Sequence, residues 1–188
     1  MQDNPDTEHQ PEPQVRRRGI YLLPNLLTTG AMFGGFYAIL SAMNGRFEQA
    51  AIAIFVAMFF DGLDGQVARM TNTQSAFGVQ YDSLSDMVSF GVAPAVLCFS
   101  WMLQSLGKVG WAAAFVYASC AALRLARFNT QVDSVDKRFF IGLASPSAAA
   151  LVAGMVWVGH SAEPSLATAI VAALVTSAAG ILMVSNFR

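Results

Sequence analysis

Long apolar stretches alternate with short polar breaks along the chain, and each stretch is about as long as a bilayer is thick. The pattern predicts six helical spans, at about 22–43, 49–69, 79–104, 109–128, 140–158 and 166–184. At ~1.5 Å rise per residue, the second span covers ~31 Å, enough to cross the hydrocarbon core. No strand-like alternation or long internal repeat stands out, so the expected fold is an all-α membrane bundle. Pro24 falls near the start of the first span, where a missing amide donor does little harm. Gly30, Gly34 and Gly35 give that span a small face for close helix packing. Gly91 and Pro94 are expected to kink the third.

The polar breaks set the topology. Residues 1–15 are acidic and Pro-rich, and read as a disordered tail in which His9 is solvated. Arg16, Arg17 and Arg18 mark a membrane edge, so 1–20 is expected as a cytoplasmic tail ahead of a membrane domain at 21–188. The first 20 residues are too polar to read as a secretory signal. With the N-terminus inside, nine of the 11 Lys and Arg fall on the cytoplasmic side, and only Arg46 and Lys108 fall outside. The positive-inside rule thus predicts six spans with both termini cytoplasmic. His160 and Glu163 fall in an outer loop and receive no function.

Composition sharpens this picture. Of the 188 residues, 55% are hydrophobic and 12% charged, about half the charged share of a soluble domain. The net charge is −1, and no basic run is long enough to imply a nucleic-acid partner. Cys98 and Cys120 lie in apolar runs, where they act as small hydrophobes rather than as a disulfide or metal pair.

Against that background, four acids stand out. Asp61 and Asp64 are three apart at the end of the second span, and Asp82 and Asp86 are four apart in the third. Each spacing puts its pair on one helix face. Carboxylates at membrane depth cost a few kcal/mol each on insertion scales, so their default reading is functional. Divalent metal offsets their charge, and oxygen ligands suit Mg²⁺, Mn²⁺ or Ca²⁺. Between the pairs lie Gly65, Ala68, Arg69 and Gly78: small residues for close approach and a planar fork for phosphate. Asp61 lies eight residues before Arg69, ~12 Å below that helix end, so the site is recessed but reachable. Asn25 and Thr28, near the cytoplasmic end of the first span, suit either capping and interhelical bonding or contact with a ligand. Arg124 and Arg127 are three apart on the fourth span, at the same membrane face as the acids.

The whole pattern, Asp-x2-Asp-Gly-x2-Ala-Arg-x8-Gly-x3-Asp-x3-Asp, is filled at all its fixed positions. It resembles the signature of the CDP-alcohol phosphotransferases, membrane enzymes of phospholipid synthesis. That resemblance implies that Asp61, Asp64, Asp82 and Asp86 bind one or two divalent ions, with Asp86 also the general base. It further implies that Gly65, Ala68, Arg69, Ser75 and Gly78 line the CDP site. LLPNLLTTGAMFGGFYAI at 22–39, AALRLARFN at 121–129 and FFIGLASPSAAA at 139–150 are similar to the phosphatidylserine synthase branch. Ala144 stands where that branch has proline in its GLP-x-P turn, while Pro146 remains.

The branch implies transfer of the phosphatidyl group of CDP-diacylglycerol to L-serine with loss of CMP. It also implies a homodimer in the cell (inner) membrane among membrane lipids, with its active site facing the cytoplasm. Arg124, Arg127 and Asn129 are candidates for the serine carboxylate or the lipid phosphate, with Lys137 and Arg138 in support. Topology and headgroup snorkelling are the alternative roles for these basic residues. Two other readings stay open: another acceptor (glycerol 3-phosphate, inositol phosphate or choline), or a divalent-cation transporter without enzymatic activity.

Overall fold

The computed structural model describes residues 22–71, 75–131, 142–161, 163 and 165–185. Among them every regular element is helical. These are α1 (Leu22–Met43), α2 (Phe47–Met70), α3 (Ala76–Asp86), α4 (Ala93–Trp101), α5 (Lys108–Gln131), α6 (Ser145–Gly159) and α7 (Leu166–Val184). The expected tail at 1–20 lies outside the described residues.

Among the described residues, five segments are long and apolar enough to cross a membrane: 23–43, 47–70, 76–101, 108–130 and 166–184. The third is α3 and α4 joined through a π-helical turn, Met87–Val92. The irregularity expected at Gly91 and Pro94 therefore takes the form of a widened turn. Pro94 has no amide hydrogen for the Phe90 carbonyl four residues earlier. The buried Tyr117 hydroxyl on α5 donates to that carbonyl instead, at 3.0 Å.

The span expected at 140–158 is shorter as a helix. α6 has 15 residues, ~22 Å, less than the hydrocarbon thickness. Gly142, at φ 83°, and extended Ala144 precede it, and the Leu143 amide donates to the Leu182 carbonyl at 3.0 Å. The chain thus lies against the C-terminal end of α7 before α6 begins. Pro146 falls in the first turn of α6, where it is tolerated.

Packing is small inside and large outside. Ala38, Ala42, Ala50, Ala53 and Ala57 are buried, while Phe33, Phe36, Phe59, Trp111 and Phe115 are exposed. Small residues let helices approach closely, and outward aromatics suit a lipid surround. A Cβ at Gly34 would lie 3.1 Å from that of Ala57 on α2. One at Gly35 would lie 2.5 Å from Ser89 Oγ in the π turn. Gly30 is less constrained, with the Phe60 ring at an ordinary 3.5 Å.

With α3 and α4 counted as one, the helices alternate in direction, so their ends gather into two sets. The N-terminus of α1, the acid-bearing ends of α2 and α3 and the C-termini of α5 and α7 share one end. The α1–α2 turn lies at the other, where Glu48 and His160 approach at 3.9 Å. Arg69, Arg124 and Arg127 belong to the acid end, and Arg46 to the opposite one.

Candidate active site

Asp61 and Asp64 sit on the last turns of α2, and Asp82 and Asp86 on α3. One oxygen each of Asp61, Asp64 and Asp82 lies within 4.8 Å of the others. Two oxygens sharing an ion at ~2.1–2.6 Å are at most ~4.2–5.2 Å apart, so the spacing fits a hard divalent cation. Asp82 Oδ1 is buried without a hydrogen-bond partner. Such an atom is costly to leave unsatisfied, and a cation would satisfy it. Asp86 stands outside the three-oxygen group, one turn beyond Asp82 on the same face of α3. The π turn begins at the next residue, a kind of irregularity often found at functional sites.

The small and basic residues surround this cluster. Arg69 Nε donates to the Gly65 carbonyl at 2.9 Å, laying its guanidinium over the face of α2 that lacks a side chain at Gly65. Ala68 is half-buried on the same stretch of helix. Ser75 caps α3, accepting from the Gly78 amide at 3.0 Å. Gly78 in turn presents its open face toward Asn25 Oδ1, 3.8 Å from where a Cβ would stand. Ser75, Gly78 and Asn25 are thereby brought together.

Of the two roles open to Thr28, the structure shows an interhelical bond: its hydroxyl donates to Asp64 Oδ2 at 2.6 Å. Asn129 Nδ2 donates to Gln80 Oε1 at 3.3 Å, and its Oδ1 accepts from Ser83 Oγ at 3.0 Å. Asn129 thus ties the end of α5 to the acid-bearing face of α3. Arg124 Nη1 donates to the Met183 carbonyl at the end of α7, 3.4 Å away. Arg127 is exposed at the same end. Lys137 and Arg138 lie outside the described residues.

Several residues at this end escape the motif. The Tyr81 and Thr29 hydroxyls are 2.8 Å apart, and Phe77 stacks on Tyr81. Ser85 and Ser89 donate to the carbonyls of Thr28 and Ala31. The four-residue spacing of these two serines was the available signal, since it places both hydroxyls on one face of α3 and its extension.

A family model described as CDP-alcohol phosphatidyltransferase matches residues 21–184. A Helicobacter pylori protein named CDP-diacylglycerol–serine O-phosphatidyltransferase is 38% identical over 172 residues, 90% of this chain and 72% of that protein. A Saccharomyces cerevisiae protein of the same name is 40% identical over 139 residues, 66% of this chain and 50% of its own. In fold, the chain is similar to a crystal structure of Mycobacterium tuberculosis phosphatidylinositol phosphate synthase with CDP-DAG bound. The TM-score is 0.61 at 19% identity, covering 87% of this chain and 81% of that one.

Proposed function

The chain belongs to the CDP-alcohol phosphatidyltransferase family, and from that premise we propose that it transfers the phosphatidyl group of CDP-diacylglycerol to the hydroxyl of L-serine, giving phosphatidylserine and CMP. The observation that carries the chemistry is the convergence of Asp61, Asp64 and Asp82. The acceptor is supported by likeness, over 90% of the chain, to a relative named for serine.

Asp61, Asp64 and Asp82 would hold the divalent ion, Mg²⁺ or Mn²⁺, which when bound stabilises charge on the diphosphate oxygens. Asp86 adds a fourth carboxylate and takes the proton of the serine hydroxyl as that oxygen bonds to the β-phosphorus. The bond from this phosphorus to the oxygen shared with the α-phosphate breaks, and CMP leaves with the electron pair. Gly65, Ala68 and Gly78 leave room for the cytidine diphosphate, and Asn25 and Ser75 offer it polar contacts. Arg69 swings its fork from the Gly65 carbonyl to a phosphate oxygen. Arg124, Arg127 and Asn129, with Lys137 and Arg138, meet the serine carboxylate or the lipid phosphate.

The same reading sets the protein in the inner membrane as a homodimer, with six spans, α6 being the short one. Residues 1–20 are then a cytoplasmic tail and 21–188 the membrane domain. Both termini and the acid cluster face the cytoplasm, as the segregation of basic residues supports.

The test is CMP release from CDP-diacylglycerol by purified protein with Mn²⁺, offering L-serine, glycerol 3-phosphate, inositol phosphate and choline in turn. Release that requires L-serine is the expected result. Release with another alcohol and none with serine would overturn the acceptor while leaving the site standing.

A further inference from the structure

Thr28 lies where α1 crosses both acid-bearing helices. Its hydroxyl donates to Asp64 Oδ2 at 2.6 Å, with the Pro24 carbonyl also in reach at 3.0 Å. Its own carbonyl accepts from Ser85 Oγ at 3.1 Å, and Ser85 lies between Asp82 and Asp86 in the chain. Thr28 and Asp64 are each only 5% exposed, so water does not compete for the bond between them. A single residue of α1 therefore grips α2 at one of its acids and α3 between both of its own. Ser89 repeats the grip one turn on, donating to the Ala31 carbonyl at 3.0 Å.

Resting on the metal reading of the acids, we infer that Thr28 is a positioning residue of the metal centre: its hydroxyl fixes the rotation of the Asp64 carboxylate, and its carbonyl, through Ser85, fixes the spacing between the two acid pairs. A carboxylate bonded at one oxygen has lost the freedom to turn away from a cation. Residues that orient metal ligands in this way are typically worth ~10–100-fold in metal affinity. Thr28 is outside the motif that carries the acids, and its partner is 36 residues away.

The test is direct Mn²⁺ titration of metal-stripped full-length protein in detergent, followed by the electron paramagnetic resonance of free Mn²⁺. Thermal melts of the metal-free protein run alongside. Thr28→Val keeps the shape and removes the hydroxyl, and is expected to weaken Mn²⁺ binding by ~10-fold or more with the metal-free melt retained. Thr28→Ser restores the hydroxyl and is expected to bind close to wild type. Ser85→Ala removes the second grip and is expected to weaken binding too, which keeps the inference testable if Thr28→Val does not fold.

Wild-type affinity in Thr28→Val, or equal weakening in Thr28→Ser and Thr28→Val, would overturn the inference. So would unchanged binding in Ser85→Ala. If the wild-type protein itself binds no Mn²⁺, the metal reading falls first and the role of Thr28 with it.

Discussion

Gly35→Ala adds one methyl group where α1 meets the π turn. The new Cβ would stand 2.5 Å from Ser89 Oγ, 2.6 Å from Ser89 Cα and 2.9 Å from its Cβ. Nonbonded carbons rest at about 3.5–4.0 Å, so the two segments must separate by about 1 Å. The obstruction includes backbone, which a rotamer change cannot relieve. Overpacking of this kind costs about 1–3 kcal/mol. The gain in helix propensity from Gly to Ala returns up to ~1 kcal/mol.

Gly30→Ala supplies the control on the same helix. Its Cβ meets the Phe60 ring at 3.5 Å, so the propensity gain stands alone. The two variants should differ by about 1–3 kcal/mol, which for a chain of this size is roughly 2–12 °C in apparent Tm. Melts of both in detergent are the assay, with CMP release measured on the same preparations. Separation at Ser89 also strains its bond to the Ala31 carbonyl, one turn from the bond between Ser85 and Thr28. Gly35→Ala should therefore lose activity beyond what its stability explains. Equal or higher Tm for Gly35→Ala would refute the close approach of α1 to the π turn.

Three further outcomes follow from local geometry. Ala144 sits at φ −63°, ψ 140°, the φ that a proline ring enforces, so Ala144→Pro should be tolerated and should raise stability by about 0.4–1 kcal/mol in melts. Tyr117→Phe strips the hydroxyl from the buried Phe90 carbonyl and should cost about 1–3 kcal/mol; an unchanged Tm would mean that the carbonyl has another partner. Arg69→Ala should lower kcat/KM for CDP-diacylglycerol by about 10–150-fold, the worth of a charged hydrogen bond, and Arg69→Lys should recover only part because the planar fork is lost.

Long apolar runs are the most legible feature of such a chain, and α1 and α7 fall at the expected limits because no charged residue interrupts them. The acid spacing likewise predicted which carboxylates share a face, and three of the four meet closely. What escaped the sequence depends on neighbours. The π turn is set partly by the hydroxyl that Tyr117 lends from another helix. The late start of α6 reflects Gly142 and Leu143 docking on α7, an element that comes later in the chain. The interhelical bond of Thr28 depends on the position of Asp64, fixed only once α1 and α2 pack. A buried carboxylate oxygen without a partner, as at Asp82, is likewise invisible until burial is known.

The most direct measurement follows isotopically labelled L-serine into lipid. Purified protein would be given CDP-diacylglycerol and Mn²⁺, with labelled phosphatidylserine and CMP quantified together, in the wild type, in Asp86→Asn and after metal chelation. The expected result is one labelled phosphatidylserine per CMP in the wild type, with both products lost on chelation and in Asp86→Asn. CMP formed without labelled lipid, or label incorporated equally well in folded Asp86→Asn, would contradict metal-assisted transfer to serine at the four-carboxylate site.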